Sequence, residues 1–99
     1  MSHLEAVLER IDRDLDSSLD RLFTLLRIQS VSTDPAYKDA CKAAADHVAA
    51  DLKSIGFAAE VRPTGGHPIV IGKSASGASD ASAGQRKLPR VLFYGHYDV

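Results

Sequence analysis

The hydrophobic period of this chain changes at Gly56, and that change limits the folds open to it. Before Gly56, apolar residues recur every three or four positions, as in amphipathic helices. After it, "FAAEVRP", "HPIVIGK" and "LPRVLFYGHYDV" are short apolar segments typical of strands. The sequence therefore predicts two helices followed by three strands. That order is typical of an α/β sandwich, although too few elements are present to complete one.

Start signals mark both predicted helices. The first has an apolar stripe from Leu4 to Leu26, and Ser2 and Glu5 at its start fit a capping box. The second begins at Asp34, whose side chain can cap the helix N-terminus, and at Pro35, which suits the first helical position. We expect the second helix to end at Gly56 in a left-handed conformation.

Three further features are interpreted as structural. Cys41 lies on the apolar stripe of the second helix, which indicates a small core residue rather than a nucleophile. His67 precedes a proline at a strand start, and no second metal ligand lies at a useful spacing from it, so His67 is not assigned to a functional site. Residues 74–87, "SASGASDASAGQRK", have no apolar face and are expected to form a flexible loop.

Composition excludes several partner classes. The formal net charge is -1, from 12 basic and 13 acidic residues, so there is no electrostatic argument for nucleic acid or a membrane surface. Apolar runs are too short for a signal peptide or a membrane span. One cysteine cannot form an internal disulfide, which favours a reducing compartment. We expect a cytoplasmic protein.

The residues that carry chemistry are His96 and Asp98. One residue separates them on a predicted strand, so their side chains project from the same face near its carboxyl end. A neutral imidazole is a good zinc ligand, and a neighbouring carboxylate can accept from its other N–H. One histidine and one aspartate do not complete a metal site, however, and a polar pair at a capped strand end is the structural alternative.

The segment "VLFYGHYDV" resembles the first metal-ligand motif of a family of dinuclear-zinc exopeptidases and deacylases. That family includes carnosinase-type dipeptidases, acetylornithine deacetylase, succinyl-diaminopimelate desuccinylase and glutamate carboxypeptidase. "IQSVSTDP", "LKSIGF" and "VRPTGGHPIVIG" are similar as well, so the resemblance covers nearly the whole chain. Tyr97 inside the motif, and the Gly-His-Pro before the second strand, favour the dipeptidase branch.

The resemblance implies that His96 is a metal ligand and that Asp98 is the active-site acid supporting it. Two divalent ions, zinc or else manganese or cobalt, would activate water to cleave dipeptides or short peptides. The other ligands and the general base would lie downstream. Residues 1–99 would then be the N-terminal portion of a three-layer αβα catalytic domain. The lid or dimerisation domain of a homodimeric parent would be absent, and the chain alone would be an inactive metallopeptidase fragment.

Two other functions stay open. One is an N-acyl amino acid deacylase of the same family, since the residues that select the substrate would lie beyond Val99. The other is a non-enzymatic α/β binding module. A binding module predicts a cooperative melt without metal, whereas a fragment predicts poor folding because the strand Val91–Tyr94 lacks partners.

Overall fold

A computed structural model describes residues 2–74 and 89–99 of the chain. The elements, in chain order, are α1 (His3–Arg13), α2 (Leu15–Leu26), a short 3-10 helix (Pro35–Tyr37), α3 (Lys38–Ser54), β1 (Phe57–Arg62) and β2 (Ile69–Ser74). The described residues thus form a small α/β fold, in agreement with the predicted class. Of the predicted flexible loop 74–87, Ser74 ends β2 and the other residues lie outside the described part of the chain.

Both predicted start signals are confirmed. The Glu5 amide donates to Ser2 Oγ at 3.1 Å, and the Ser2 amide donates to Glu5 Oε2 at 2.8 Å, which completes the capping box of α1. The Ala36 amide donates to Asp34 Oδ1 at 2.9 Å, with Pro35 at the first position of the 3-10 helix. Local side-chain chemistry therefore sets where each helical segment begins.

The prediction of one continuous N-terminal helix is wrong, because the helix is interrupted at Asp14. That residue has φ -99° and ψ 9°, and its carboxylate contacts Arg10 and Arg13. Its carbonyl also accepts from the Ser17 hydroxyl at 2.9 Å. Helical hydrogen bonds still cross the break, from the Asp14 amide to Arg10 O and from the Ser18 amide to Asp14 O. The interruption is therefore a local bend between α1 and α2.

The buried core lies on one face of α3. Among the described residues, its buried apolar side chains are all small: Cys41, Ala44, Ala45 and Ala49. Cys41 is 1% exposed, which confirms its prediction as a core residue. The helix packs closely on the sheet, since a Cβ on Gly72 of β2 would lie 2.9 Å from Leu52 Cδ1. Small residues thus allow α3 and the strands to approach.

The sheet has two antiparallel strands among the described residues, with Val61 opposite Val70. Alternate side chains of β1, beginning at Phe57, are half-buried, as expected for one face of a strand. The turn between the strands is held by Thr64, whose hydroxyl donates to His67 O at 2.6 Å and accepts from the Gly66 amide at 2.9 Å. Gly56, at φ +91°, joins α3 to β1 in the expected left-handed conformation.

The predicted third strand is wrong for the described residues. Val91–Tyr94 pair with neither β1 nor β2, and residues 89–99 contain no strand. The four residues Val91–Tyr94 are 72–92% exposed. An apolar, β-branched or aromatic run favours a strand locally, but strand formation needs a partner ladder, and none is supplied by the described residues. The apolar stripe of α1 and α2 is likewise exposed, with Leu4 at 66%.

No helix within residues 2–74 and 89–99 combines the length and apolar character needed to cross a bilayer.

Candidate active site

The site is built on the irregular segment that follows α2. Consecutive tight turns shape it, because the Ser30 amide donates to Ile28 O at 2.7 Å and the Val31 amide donates to Gln29 O at 2.9 Å. Ser30 is fully buried, so its hydroxyl requires a hydrogen-bond partner. That partner is the backbone carbonyl of Tyr97.

We call the hydrogen bonds from Ser30 and Ser32 to residues 97–99 the serine clasp. Ser30 Oγ donates to Tyr97 O at 3.1 Å, and the Val99 amide donates to Ser30 O at 3.0 Å. Ser32 Oγ donates to Asp98 Oδ2 at 2.6 Å. Ser30 therefore holds the backbone of this segment, whereas Ser32 holds a side chain.

The side chains of His96 and Asp98 come together, as their spacing predicts. His96 Nδ1 lies 3.2 Å from Asp98 Oδ1. On the other side of the ring, His96 Nε2 lies 2.9 Å from the Tyr94 hydroxyl, and the two rings meet edge to face with centroids 5.3 Å apart. His96 is 69% exposed and Asp98 is 34% exposed. The pair forms without a paired strand, because an i, i+2 spacing in this segment is enough to bring the groups into contact.

Hydrogen bonding makes the Asp98 carboxyl a stronger acid. The hydrogen bond from Ser32 is the largest cause lowering the pKa of Asp98 below its ordinary value, and His96 contributes in the same direction. Asp98 is therefore an acceptor at neutral pH, and Nδ1 of a neutral His96 is the nitrogen that donates to it. Nε2 then keeps its lone pair, which can accept from Tyr94 or bind a metal ion.

Tyr97, between the two site residues, points away from them. Its hydroxyl donates to Pro68 O at 2.6 Å, and burial raises the pKa of the Tyr97 phenol, with Cys41 and Asp98 adding to the effect. This contact ties the motif to the segment before β2. Tyr97 therefore anchors the backbone that carries His96 and Asp98. Among the described residues, a Cβ at Gly95 would meet nothing within 4 Å, so no close backbone approach requires a glycine there.

Sequence reasoning missed the connection between His67 and the site. His67 Nε2 lies 2.8 Å from Ser32 O, within donating distance, and His67 Nδ1 is buried with no hydrogen-bond partner among the described residues. The contact fits the structural role predicted for His67, but it joins the same serine that holds Asp98. No local signal could have found it, since 35 residues separate the partners.

The residues present fit one metal ligand with its supporting acid. Asp98 contacts the imidazole at Nδ1, and Nε2, which faces the Tyr94 hydroxyl at 2.9 Å, is the nitrogen left to coordinate. In the described part of the chain, no group of three or more His, Cys, Asp or Glu side chains could hold a metal ion. A catalytic zinc has about three protein ligands. A complete centre would therefore need ligands in addition to His96.

Comparisons of the chain with protein-family models, with curated proteins and with solved structures found no match.

Proposed function

We propose that this chain carries the first metal-ligand motif of a hydrolase that cleaves the amide bond of dipeptides or short peptides. His96 is the metal ligand, and Asp98 is the acid that supports it. The observation that carries the proposal is the 3.2 Å contact between His96 Nδ1 and Asp98 Oδ1, which assigns Nδ1 to the carboxylate and Nε2 to the metal ion. The resemblance of "VLFYGHYDV" to the dinuclear-zinc exopeptidases supplies the reaction class.

Each site residue has a definite part in this proposal. Asp98 accepts the Nδ1 proton, which fixes the tautomer and makes Nε2 more basic. The Tyr94 hydroxyl lies 2.9 Å from Nε2, and Tyr94 is 83% exposed, so its side chain can turn away when a metal ion binds that nitrogen. Bound divalent ions supply Lewis acidity that polarises a scissile carbonyl and makes water a stronger nucleophile. The remaining ligands and the general base are assigned to residues outside this sequence.

Zinc titration of the chain, followed by the imidazole ¹⁵N resonances of its four histidines, tests the ligand assignment. We expect the His96 Nε2 resonance to respond at the lowest zinc concentration, and His96→Ala to remove that response. His3→Ala is the matched control, because His3 is also an exposed histidine and should leave the response unchanged.

Two outcomes would contradict the proposal. If His96 responds to zinc no sooner than His3, the ligand assignment fails. The same samples, with added zinc and a dipeptide, should release no amino acids, because a single ligand cannot assemble a catalytic centre. Turnover by this chain would show that the missing ligands and base have been assigned to the wrong part of the protein.

A further inference from the structure

Ser32 connects two parts of the site that are distant in sequence. Its carbonyl faces His67 Nε2 at 2.8 Å, and its hydroxyl donates to Asp98 Oδ2 at 2.6 Å. The second contact spans 66 residues. An O–H···O⁻ distance of about 2.5–2.7 Å is the range of charge-assisted hydrogen bonds, which are about twice as strong as neutral ones.

The two oxygens of the Asp98 carboxylate have different partners. Oδ2 accepts from Ser32, and Oδ1 faces His96 Nδ1. A carboxylate held at one oxygen has less freedom to rotate, so the position of its other oxygen is defined as well. The hydroxyl of Ser32 therefore sets where the His96 imidazole can donate, although the two residues have no direct hydrogen bond.

We propose that Ser32 is a positioning residue that acts through Asp98 to fix the tautomer and orientation of His96. The consequence for metal affinity rests on the proposed function of His96, whereas the effect on the imidazole does not. In a zinc site, Ser32 would lie one hydrogen bond beyond the acid that supports the ligand.

Ser30 offers a matched control within the same segment. Its hydrogen bonds to residues 97–99 are to the backbone, at Tyr97 O and Val99 N, whereas Ser32 donates to the Asp98 carboxylate. Loss of the Ser30 hydroxyl should disturb the backbone of the serine clasp. Loss of the Ser32 hydroxyl should leave that backbone in place and release the carboxylate.

The experiment compares Ser32→Ala, Ser32→Thr and Ser30→Ala in the 99-residue chain by NMR, without metal and then with zinc. In Ser32→Ala we expect His96 to become a mixture of tautomers, and zinc binding at His96 to weaken about five-fold, the equivalent of one hydrogen bond. The Val99 amide should keep its wild-type hydrogen-exchange rate. Ser32→Thr, which retains the hydroxyl, should restore the wild-type tautomer.

The possible failures are distinguishable. If Ser32→Ala leaves the His96 tautomer as in the wild type, the positioning role is refuted. It is also refuted if Ser32→Ala accelerates Val99 exchange as much as Ser30→Ala does, since Ser32 would then act only on the backbone. If the tautomer changes in Ser32→Ala but wild-type His96 binds no zinc, the positioning role stands and the proposed metal function fails.

Discussion

Replacing Asp98 by asparagine should reverse the protonation of His96 while almost preserving shape. The Ser32 hydroxyl donates to the Oδ2 position at 2.6 Å, and with that donor direction retained the carbonyl oxygen of the substituted side chain remains there as the acceptor. The amide nitrogen then takes the Oδ1 position, 3.2 Å from His96 Nδ1. Because an amide N–H can only donate, Nδ1 must accept and the ring proton must move to Nε2. A protonated Nε2 cannot bind a metal ion.

The size of the effect follows from the exposure of the pair. Loss of an outer-shell partner typically costs about 10–100-fold in metal affinity. The Asp98 side chain is 34% exposed, so water screens its interaction with His96. We therefore expect Asp98→Asn to weaken zinc binding about ten-fold. Asp98→Ala is the informative control, because it removes the acceptor without introducing a donor. Alanine should therefore weaken zinc binding less than asparagine does.

Long-range ¹H–¹⁵N spectra of the imidazoles, recorded at about pH 8 where histidine is neutral, report the tautomer directly. We expect Nδ1–H in the wild type and Nε2–H in Asp98→Asn, with zinc titrations on the same samples giving the affinities. The reasoning is refuted if Asp98→Asn keeps the Nδ1–H tautomer, or if it binds zinc as well as Asp98→Ala.

Two substitutions test the scaffold that carries the site. Gly56→Ala should destabilise the α3–β1 junction by about 1–2 kcal/mol, because Gly56 has φ +91° and the added Cβ would make no contact within 4 Å that offsets the backbone strain. Gly65→Ala is the control, because a Cβ there has equal space and the backbone has no positive φ, so it should not destabilise the junction. Amide exchange in β1 and β2 measures this, and equal exchange in the two variants would contradict it. Ala45→Leu should cost about 1–3 kcal/mol by overpacking a fully buried position, whereas Ala43→Leu on the exposed face should be near neutral. Urea unfolding followed by helical circular dichroism separates them, and coincident midpoints would count against the assigned core.

Features controlled by near neighbours could be read from the sequence. The capping box of Ser2 and Glu5, and the left-handed Gly56, depend on interactions within a few residues. The burial of Cys41 follows from helical periodicity, which places it on the same face as other small residues. The proximity of His96 to Asp98 follows from a separation of two residues.

Features that depend on distant partners could not be read in the same way. Periodicity also does not register the break at Asp14, although the carboxylate of that residue contacts near neighbours, Arg10 and Arg13. Val91–Tyr94 have the composition of a strand, but the described residues supply no ladder for them. The contact of Ser32 with Asp98 joins residues 66 positions apart, and nothing in either local pattern indicates it.

Among the described residues, the site is therefore anchored to other segments from one side only. Residues 97–99 are held by the serine clasp and by the Tyr97 contact with Pro68 O, whereas Val91–Tyr94 on the other side of His96 are 72–92% exposed. With one flank exposed, the direction of the His96 ring depends on Asp98, and hence on Ser32, together with the exposed ring of Tyr94. Pairing of Val91–Tyr94 with a further strand would fix the second flank. Such pairing would strengthen metal binding through preorganisation, without adding a ligand.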